Sequence, residues 1–303
     1  MSSVHLTTEN VSEIIEDIDT FLFDCDGVIW KDTEVIPGVP EALDSLRKRG
    51  KRVLFVSNNS TRTRPEYTAK MAKMGISAKP EEVFGTAYAT AHYLQKHSKG
   101  KVYVVAGEPL KKELDARNVP CFGPGLDPVD DEGVRALPSH LTTLPLDPEV
   151  KTVCVGYDPH LNIIKLTKAI NYLQDPDCLF VGTNTDRSLP NPTSRLIAGT
   201  GCFVEFVART ANREPTYVGK PFTPIFDCIC EECSAAGQPI DPARTCMIGD
   251  NPLTDIPFGN RHGMKTLLVF TGHGTREDLE SLAAEDDRRP TYFTDTAAVL
   301  SCS

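Results

Sequence analysis

The sequence predicts an α/β fold in which a parallel sheet with crossover helices is interrupted by a second, inserted α/β unit. Three observations predict it. Short β-rich apolar runs alternate with longer helical segments from residue 20 to residue 97. The middle of the chain then becomes less regular, and the alternation returns after residue 215. Strands that alternate with helices need crossover connections, and such connections join parallel strands.

The first part of the chain carries the alternation with clear helix boundaries. Pro37 and Gly38 precede the first predicted helix, Gly50 ends it, and Gly75 ends the second. The predicted elements are the strands Thr20–Phe23 and Arg52–Val56 and the helices Pro37–Arg49, Arg64–Met74 and Thr86–Lys96. Their order, strand–helix–strand–helix, predicts one half of a parallel sheet.

About 110 residues in the middle predict a separate α/β unit, because they contain their own strands and helix between two polar linkers. The unit comprises the strands Lys101–Ala106, Lys151–Gly156 and Leu179–Val181, the helix Asn162–Gln174, irregular connections over Pro120–Pro148 and a loop over Gly182–Gly201. The linkers are Gln95–Gly100 and Ala211–Glu214. The alternation resumes with Thr216–Gly219, Pro221–Ala236, Thr245–Gly249 and Lys265–Phe270. The predicted division is therefore 1–97, 98–212 and 213–303.

Charge and composition restrict the classes of partner. The 303 residues carry a formal net charge of −10, which disfavours nucleic acid and anionic membranes as partners. An acidic protein also repels a phosphate at long range, so any anion site must be built locally. The N-terminus lacks the apolar segment of a signal peptide, and no apolar run approaches the roughly 18 residues of a membrane span. We therefore expect a cytoplasmic protein.

The ten cysteines do not predict a disulfide framework, since the chain is neither short nor visibly secreted. Cys228, Cys230 and Cys233 include a CxxC spacing, but no second pair follows at the spacing of a zinc site. The favoured interpretation is a helix with small apolar residues on its inner face.

Polar side chains follow four of the predicted strands. Asp24 and Asp26 come directly after the apolar strand Thr20–Phe23, and Ser57, Asn58 and Asn59 follow the next strand. Lys220 follows Thr216–Gly219, and Asp250 follows Thr245–Gly249. Each motif alone is a weak signal, because such residues commonly form turns or cap helices. Together they predict a ligand site, since the carboxyl ends of parallel strands meet at one edge of the sheet.

Each residue type suits phosphoryl transfer. Clustered carboxylates such as Asp24 and Asp250 suit Mg²⁺, which is bound by one or two carboxylates together with water and substrate phosphate. Lys220, with Ser57 and Asn58, suits the phosphoryl oxygens. Asp24 is the candidate nucleophile. Asp26 is the candidate acid that protonates the leaving oxygen and then the base that activates water.

These motifs, in this order, resemble those of the haloacid dehalogenase-type (HAD) phosphatases. The resembling motifs are Asp24-Cys-Asp-Gly-Val-Ile-Trp30, Ser57-Asn-Asn59, Gly219-Lys-Pro221 and Gly249-Asp-Asn-Pro-Leu-Thr-Asp255. The resemblance implies a Rossmann-like, doubly wound core with an inserted α/β cap. It implies Mg²⁺ bound by Asp24, Asp250 and the backbone carbonyl of Asp26, with Asp255 supporting a metal-bound water. It also implies that Ser57, Asn58, Asn59 and Lys220 hold the phosphate.

The substrate is expected to be set by the loop Gly182–Gly201, which resembles the cap substrate loop of the 4-nitrophenyl, phosphoglycolate and pyridoxal phosphatase branch. The pyridoxal type carries His where this chain has Leu189, whereas the phosphoglycolate type carries Leu, with Asp and Arg upstream like Asp186 and Arg187. We therefore expect a small phosphorylated substrate, 2-phosphoglycolate first, with glycerol phosphate and 4-nitrophenyl phosphate also accepted. The alternative interpretation of Arg187 and Arg195 is that they are solvated loop residues. Because the same branch commonly forms homodimers through the cap, the resemblance also implies a homodimer here.

Two other functions stay open on the sequence. One is hydrolysis of pyridoxal phosphate by the same chemistry. The other is a protein phosphatase, or an interaction protein without catalysis. The intact set of Asp24, Asp26, Lys220 and Asp250 disfavours a protein without catalysis, and a large cap disfavours a protein substrate.

Overall fold

The computed structural model describes residues 3–127, 137–189 and 195–301. The strands are β1 (Val4–His5), β2 (Thr20–Phe23), β3 (Trp30–Lys31), β4 (Glu34–Val35), β5 (Arg52–Ser57), β6 (Val83–Gly85), β7 (Lys101–Val105), β8 (Cys121–Phe122), β9 (Val150–Val155), β10 (Leu179–Gly182), β11 (Thr216–Tyr217), β12 (Thr245–Gly249), β13 (Lys265–Val269) and β14 (Tyr292–Thr294). The helices are α1 (Val11–Asp17), α2 (Val39–Lys48), α3 (Arg64–Lys73), α4 (Thr86–His97), α5 (Glu108–Ala116), α6 (Leu137–Thr142), α7 (Ile163–Tyr172), α8 (Thr200–Ala211), α9 (Thr223–Ala235), α10 (Asp255–Arg261) and α11 (Arg276–Ser281).

The main sheet is parallel throughout and has seven strands in the order β1-β14-β13-β12-β2-β5-β6. From β2 the chain extends the sheet outwards through β5 and β6, and it returns later to add β12, β13 and β14 on the other side. The direction of winding therefore reverses between β2 and β12. In sheets of this kind the ligand crevice lies at that reversal, beyond the carboxyl ends of the strands. The α/β fold predicted from the sequence is confirmed.

A second parallel sheet has the order β11-β10-β9-β7-β8. Most of its strands come from the stretch predicted to form the inserted unit, which we call the cap. Its edge strand β11, however, pairs with β10 and comes from residues beyond the predicted boundary at 212. The division 1–97, 98–212 and 213–303 stays a prediction, and the second sheet extends past it by this short strand.

Apolar packing joins the two sheets. Every residue of β2 is buried, as expected for a strand covered by helices on both faces. Leu22 and Leu54 on one face of the main sheet belong to the same apolar cluster as Val102 and Val104 of β7. Helix α4 supplies Ala87, Ala91 and Leu94 to that cluster as it carries the chain from the main sheet into the cap. The cap is thus seated on the main sheet by a continuous apolar contact.

Most predicted elements match the structure to within two residues, and the misses have local causes. The strand β6 is too short to show a pattern, and the other elements that were not predicted are β1, β3, β4, β14, α1, α5, α8, α10 and α11. Helix α10 contains Pro257 and Gly259, which have low helix propensity, so its formation depends on packing against the sheet. Pro120–Pro148 was predicted to be irregular, but the described part contains β8 and α6; residues 128–136 lie outside the described residues.

The segment that carries the CxxC spacing is helical, as predicted. It lies in α9, where Cys228 and Cys233 are buried and Cys230 is partly exposed. Burial raises the pKa of all three thiols. Among the described helices, none combines the length and the hydropathy that crossing a membrane requires.

A buried ion pair in the cap gives a stability prediction. Lys165 donates to Asp158 at 2.6 Å, and neither side chain is exposed to solvent. Removing one partner leaves an unpaired charge in the interior, so we expect Lys165→Met to lower the free energy of unfolding by about 3–5 kcal/mol. Urea denaturation measures the change.

Two matched variants serve as controls. The double variant Asp158→Leu/Lys165→Met removes both charges and should recover most of the loss. Lys111→Ala, which breaks an exposed pair with Asp115 one helical turn away, should change stability by less than about 0.5 kcal/mol. Equal losses in Lys165→Met and Lys111→Ala would contradict the prediction.

Candidate active site

The residues singled out at the strand ends converge on one cleft of about 300 Å³. Its floor is formed at the carboxyl ends of β2, β5 and β12, and its roof is the cap segment 184–189. The lining includes all eleven residues that the sequence predicted for the site, namely Asp24, Asp26, Ser57, Asn58, Asn59, Asp186, Arg187, Leu189, Lys220, Asp250 and Asp255. The sheet topology thus brings together groups that are up to 231 positions apart in the chain, since Asp24 and Asp255 face the same lysine.

Lys220 is the buried cation at the centre of the floor. It is 1% exposed, and its Nζ lies 2.6 Å from Asp24 Oδ1, 2.7 Å from Asp255 Oδ1 and 2.9 Å from the carbonyl oxygen of Val56. Burial alone lowers the pKa of a lysine, but the two carboxylates outweigh burial and raise the pKa of Lys220. Lys220 therefore stays protonated and holds Asp24 in place.

Three carboxylates lie close together at this point, and two of them contact Lys220. Asp24, Asp250 and Asp255 each offer an oxygen, and these oxygens lie within 4.8 Å of one another. Burial raises the pKa of Asp24; the charge of Lys220 opposes this shift, and the charges of Asp255 and Asp250 add to it. One lysine does not neutralise three buried carboxylates, so the cluster has the charge and the oxygen ligands to hold a divalent cation.

The oxygens of the cluster differ in how they are engaged. Asp255 uses one oxygen for Lys220 and accepts a hydrogen bond from the Asn251 amide on the other at 3.0 Å. Asp250 accepts on Oδ2 from the backbone amide and from Nδ1 of His273, at 2.7 and 2.9 Å. Asp250 thus keeps its Oδ1 for a cation, whereas Asp255 is already engaged on both oxygens. This difference fits Asp250 as a ligand and Asp255 as a supporting residue.

Glycine at position 27 allows the close approach that this cluster requires. Gly27 has φ of +84°, and a Cβ there would lie 2.5 Å from Asp250 Oδ2. A side chain would therefore both strain the turn and push Asp250 away. Thr271 fixes the same turn from the other side, because its hydroxyl donates to the Gly27 carbonyl at 2.5 Å.

Ser57 and Asn58 present polar groups beside Lys220. The Ser57 hydroxyl accepts hydrogen bonds from Tyr67 at 3.0 Å and from the Asn59 amide at 3.2 Å, which leaves its own proton to donate. Asn58 Nδ2 donates to Asp186 at 3.2 Å and to the Lys220 carbonyl at 3.1 Å.

Asn59 differs from the other two, because its side-chain oxygen accepts from the amide and hydroxyl of Thr61 at 2.8 and 2.7 Å. It lines the cleft while its side-chain oxygen closes its own turn. Its predicted phosphate contact therefore rests on groups other than this oxygen, and it stays a prediction.

The cap residues lie above this floor. Asp186 contacts the core by accepting a hydrogen bond from Asn58. Burial raises the pKa of the Asp186 carboxyl group, and this effect outweighs the hydrogen bond from Asn58, which lowers it. Arg187 is exposed and Leu189 partly buried at the cleft. Asn184 donates to the Asn58 carbonyl at 2.7 Å, so two hydrogen bonds tie the cap loop to the loop after β5.

Sequence reasoning missed His273, Tyr157 and Ser60, which also line the cleft. His273 follows β13, a strand that was predicted, so the rule of inspecting each strand end would have found it. Its pKa is raised by the hydrogen bond to Asp250. Tyr157 follows β9 of the cap, and only the packing of the two sheets brings it to the cleft.

Comparisons with known proteins identify the family of this chain. A family model described as haloacid dehalogenase-like hydrolase matches residues 21–120, and a second HAD-like hydrolase model matches residues 217–300. The chain is 43% identical over 311 aligned residues to glycerol-3-phosphate phosphatase from Homo sapiens, covering 98% of this chain and 94% of that protein. It is 38% identical to chronophin from Homo sapiens, covering 92% and 91%.

A solved structure supports the same assignment. The glycerol phosphate phosphatase from Mycobacterium tuberculosis, in complex with magnesium, superposes with a TM-score of 0.76 at 25% identity and covers 95% of this chain and 78% of that one. The two family models together include all four motifs, and the sequence relatives align over nearly the whole chain. The chain therefore belongs to the haloacid dehalogenase-like hydrolases, and within that family it is a phosphatase that hydrolyses phosphoric monoesters.

Proposed function

We propose that the protein is a Mg²⁺-dependent phosphatase of small phosphorylated polyols and acids, glycerol 3-phosphate and 2-phosphoglycolate among them, acting through an aspartyl-phosphate. The observation that carries this proposal is the position of Asp24. Its carboxylate lies at the cleft, held by Lys220 at 2.6 Å and surrounded by polar groups suited to a phosphate. Asp26 lines the same cleft two residues away, which supports its role as acid and base.

The reaction has two displacements at phosphorus. In the first, a carboxylate oxygen of Asp24 bonds to phosphorus, the bond from phosphorus to the ester oxygen breaks, and Asp26 gives its proton to that oxygen. In the second, Asp26 takes a proton from water, the water oxygen bonds to phosphorus, and the bond to Asp24 breaks. Inorganic phosphate leaves, and both carboxyl groups return to their starting states. Lys220, Ser57 and Asn58 hold the phosphoryl oxygens in both steps.

Mg²⁺ is proposed to be held by the Asp24 and Asp250 carboxylates and the Asp26 carbonyl, with Asp255 supporting it. When bound, it neutralises the carboxylates and the phosphoryl charge. The carboxylate cluster supports this assignment. The magnesium complex of the mycobacterial relative supports the choice of metal.

The proposed substrate class rests on the cap. The names of the relatives point to glycerol phosphate. Leu189 and Arg187 at the roof favour a small substrate and can meet a carboxylate or hydroxyl groups. Pyridoxal phosphate stays the alternative substrate, because the motifs also resemble the pyridoxal phosphatases of the same branch. We also infer a cytoplasmic homodimer formed through the cap, on the resemblance to the same branch.

Asp24→Asn tests the nucleophile. We expect kcat to fall by several orders of magnitude, because an amide oxygen is a poor nucleophile for phosphorus. The fold should persist, since Lys220 keeps Asp255 and the Val56 carbonyl as partners. Steady-state assays with 4-nitrophenyl phosphate and thermal denaturation measure the two quantities. Near-normal turnover by Asp24→Asn would contradict the covalent mechanism.

Chelation tests the metal. Excess EDTA should abolish activity, and added Mg²⁺ should restore it. Because a ligand bound only by the folded state stabilises it, Mg²⁺ at 100 times its Kd should add about 2.7 kcal/mol to the free energy of unfolding. Asp250→Asn should lose most of that stabilisation. Full activity in EDTA, or equal stabilisation of Asp250→Asn and the parent protein, would contradict the assignment.

Arg187→Ala tests the cap. If Arg187 meets the substrate carboxylate, the substitution should raise KM for 2-phosphoglycolate roughly 30- to 150-fold, because a site built for a charged group depends on that contact. The KM for 4-nitrophenyl phosphate should change little. Lys220→Ala is the contrasting variant, since it should damage both reactions alike. Equal effects of Arg187→Ala on the two substrates, or a higher kcat/KM for pyridoxal phosphate than for both small substrates, would contradict the assignment.

A further inference from the structure

The indole of Trp30 contacts the acid/base candidate directly. Trp30 is the single tryptophan of the chain, and its side chain is fully buried. Its Nε1–H donates to Asp26 Oδ1 at 2.8 Å. A backbone hydrogen bond closes the same turn, because the Gly27 amide donates to the Trp30 carbonyl at 2.7 Å. Trp30 is therefore bonded to Asp26 through its side chain and to the following residue through its main chain.

The indole is itself held in place. The ammonium group of Lys70, on α3, lies 4.2 Å from the centre of the Trp30 ring, within the range of a cation–π contact. The ring also packs in the apolar cluster that contains Phe21, Phe23 and Tyr67. The indole N–H is thus a donor of fixed direction, aimed at one carboxylate oxygen.

We infer that Trp30 is a positioning residue for the reaction, which holds the Asp26 carboxyl group so that Oδ2 faces the substrate. This inference rests on the proposed role of Asp26. With Oδ1 occupied by the indole, Oδ2 is the oxygen that gives its proton to the ester oxygen in the first displacement and takes a proton from water in the second. A rotated carboxyl group would do neither efficiently, because proton transfer requires hydrogen-bond contact with the reacting oxygen.

Helix α3 supports both sides of the site. Tyr67 and Lys70 are three residues apart and lie on the same face of the helix. Tyr67 donates to Ser57, on the phosphate side, at 3.0 Å, and Lys70 contacts Trp30, on the Asp26 side. Tyr67→Phe is therefore a matched control, because it alters support of the phosphate and leaves the indole contact intact.

The test compares leaving groups in Trp30→Phe, using the full-length protein with Mg²⁺. The value of kcat/KM reports the steps up to release of the leaving group. The glycerol released from glycerol 3-phosphate is a poor leaving group and needs the proton of Asp26, whereas the 4-nitrophenolate released from 4-nitrophenyl phosphate is a stable anion and does not. We expect kcat/KM to fall about 30-fold for glycerol 3-phosphate and less than about 3-fold for 4-nitrophenyl phosphate.

A second readout follows the base step. With 4-nitrophenyl phosphate, slower hydrolysis of the aspartyl-phosphate should lower kcat and KM together. Rapid mixing should then show a burst of one 4-nitrophenolate per enzyme. Tyr67→Phe should lower kcat/KM for both substrates by the same factor and show no burst.

Replacing Trp30 by benzothienylalanine keeps the shape of the ring and removes only the N–H donor, which covers the case that Trp30→Phe does not fold. It should reproduce both effects. Equal losses on the two substrates, or no change with this analogue, would overturn the inference. Asp26→Asn distinguishes a failure of the proposed role of Asp26 from a failure of the inference about Trp30. If Asp26→Asn shows no leaving-group contrast, the proposed role of Asp26 fails; if it shows the contrast and the Trp30 variants do not, only the inference about Trp30 fails.

Discussion

The buried ammonium group of Lys220 is the interaction on which the rest of the site depends. It joins the end of β2 through Asp24, the end of β5 through the Val56 carbonyl and the start of α10 through Asp255. Lys220 itself arrives on the segment that follows β11, the edge strand of the cap sheet. Without it, buried carboxylates from two strand ends would repel one another, and burial would favour their neutral forms.

The same arrangement explains how an acidic protein can bind a phosphate. The net charge of −10 opposes a dianion at a distance. At the floor of the cleft, however, the ammonium of Lys220 and the cation that we propose there would together offset the charge of the three carboxylates. The anion site is therefore confined to the edge of the sheet, where water is limited and each charge has a stronger effect.

The cap is placed by two kinds of contact with different consequences. The apolar cluster that contains Leu22, Leu54, Val102 and Val104 holds the two sheets together. Because apolar contacts are non-directional, this cluster does not by itself fix the exact orientation of the cap. The hydrogen bonds from Asn58 and Asn184 then hold the cap loop against the loop that follows β5. A cleft of about 300 Å³ remains, which suits a small phosphorylated metabolite better than a folded protein segment.

The sequence by itself determined the α/β fold and the residues at the ends of β2, β5 and β12, because buried parallel strands are continuous apolar runs and polar residues after them stand out. It could not reveal which oxygen of each carboxylate is engaged, that His273 meets Asp250, or that β11 belongs to the cap sheet. It identified Trp30 only as part of a motif. Its contact with Asp26 needed the tertiary structure, because a hydrogen bond depends on direction and distance, which a side-chain pattern does not encode.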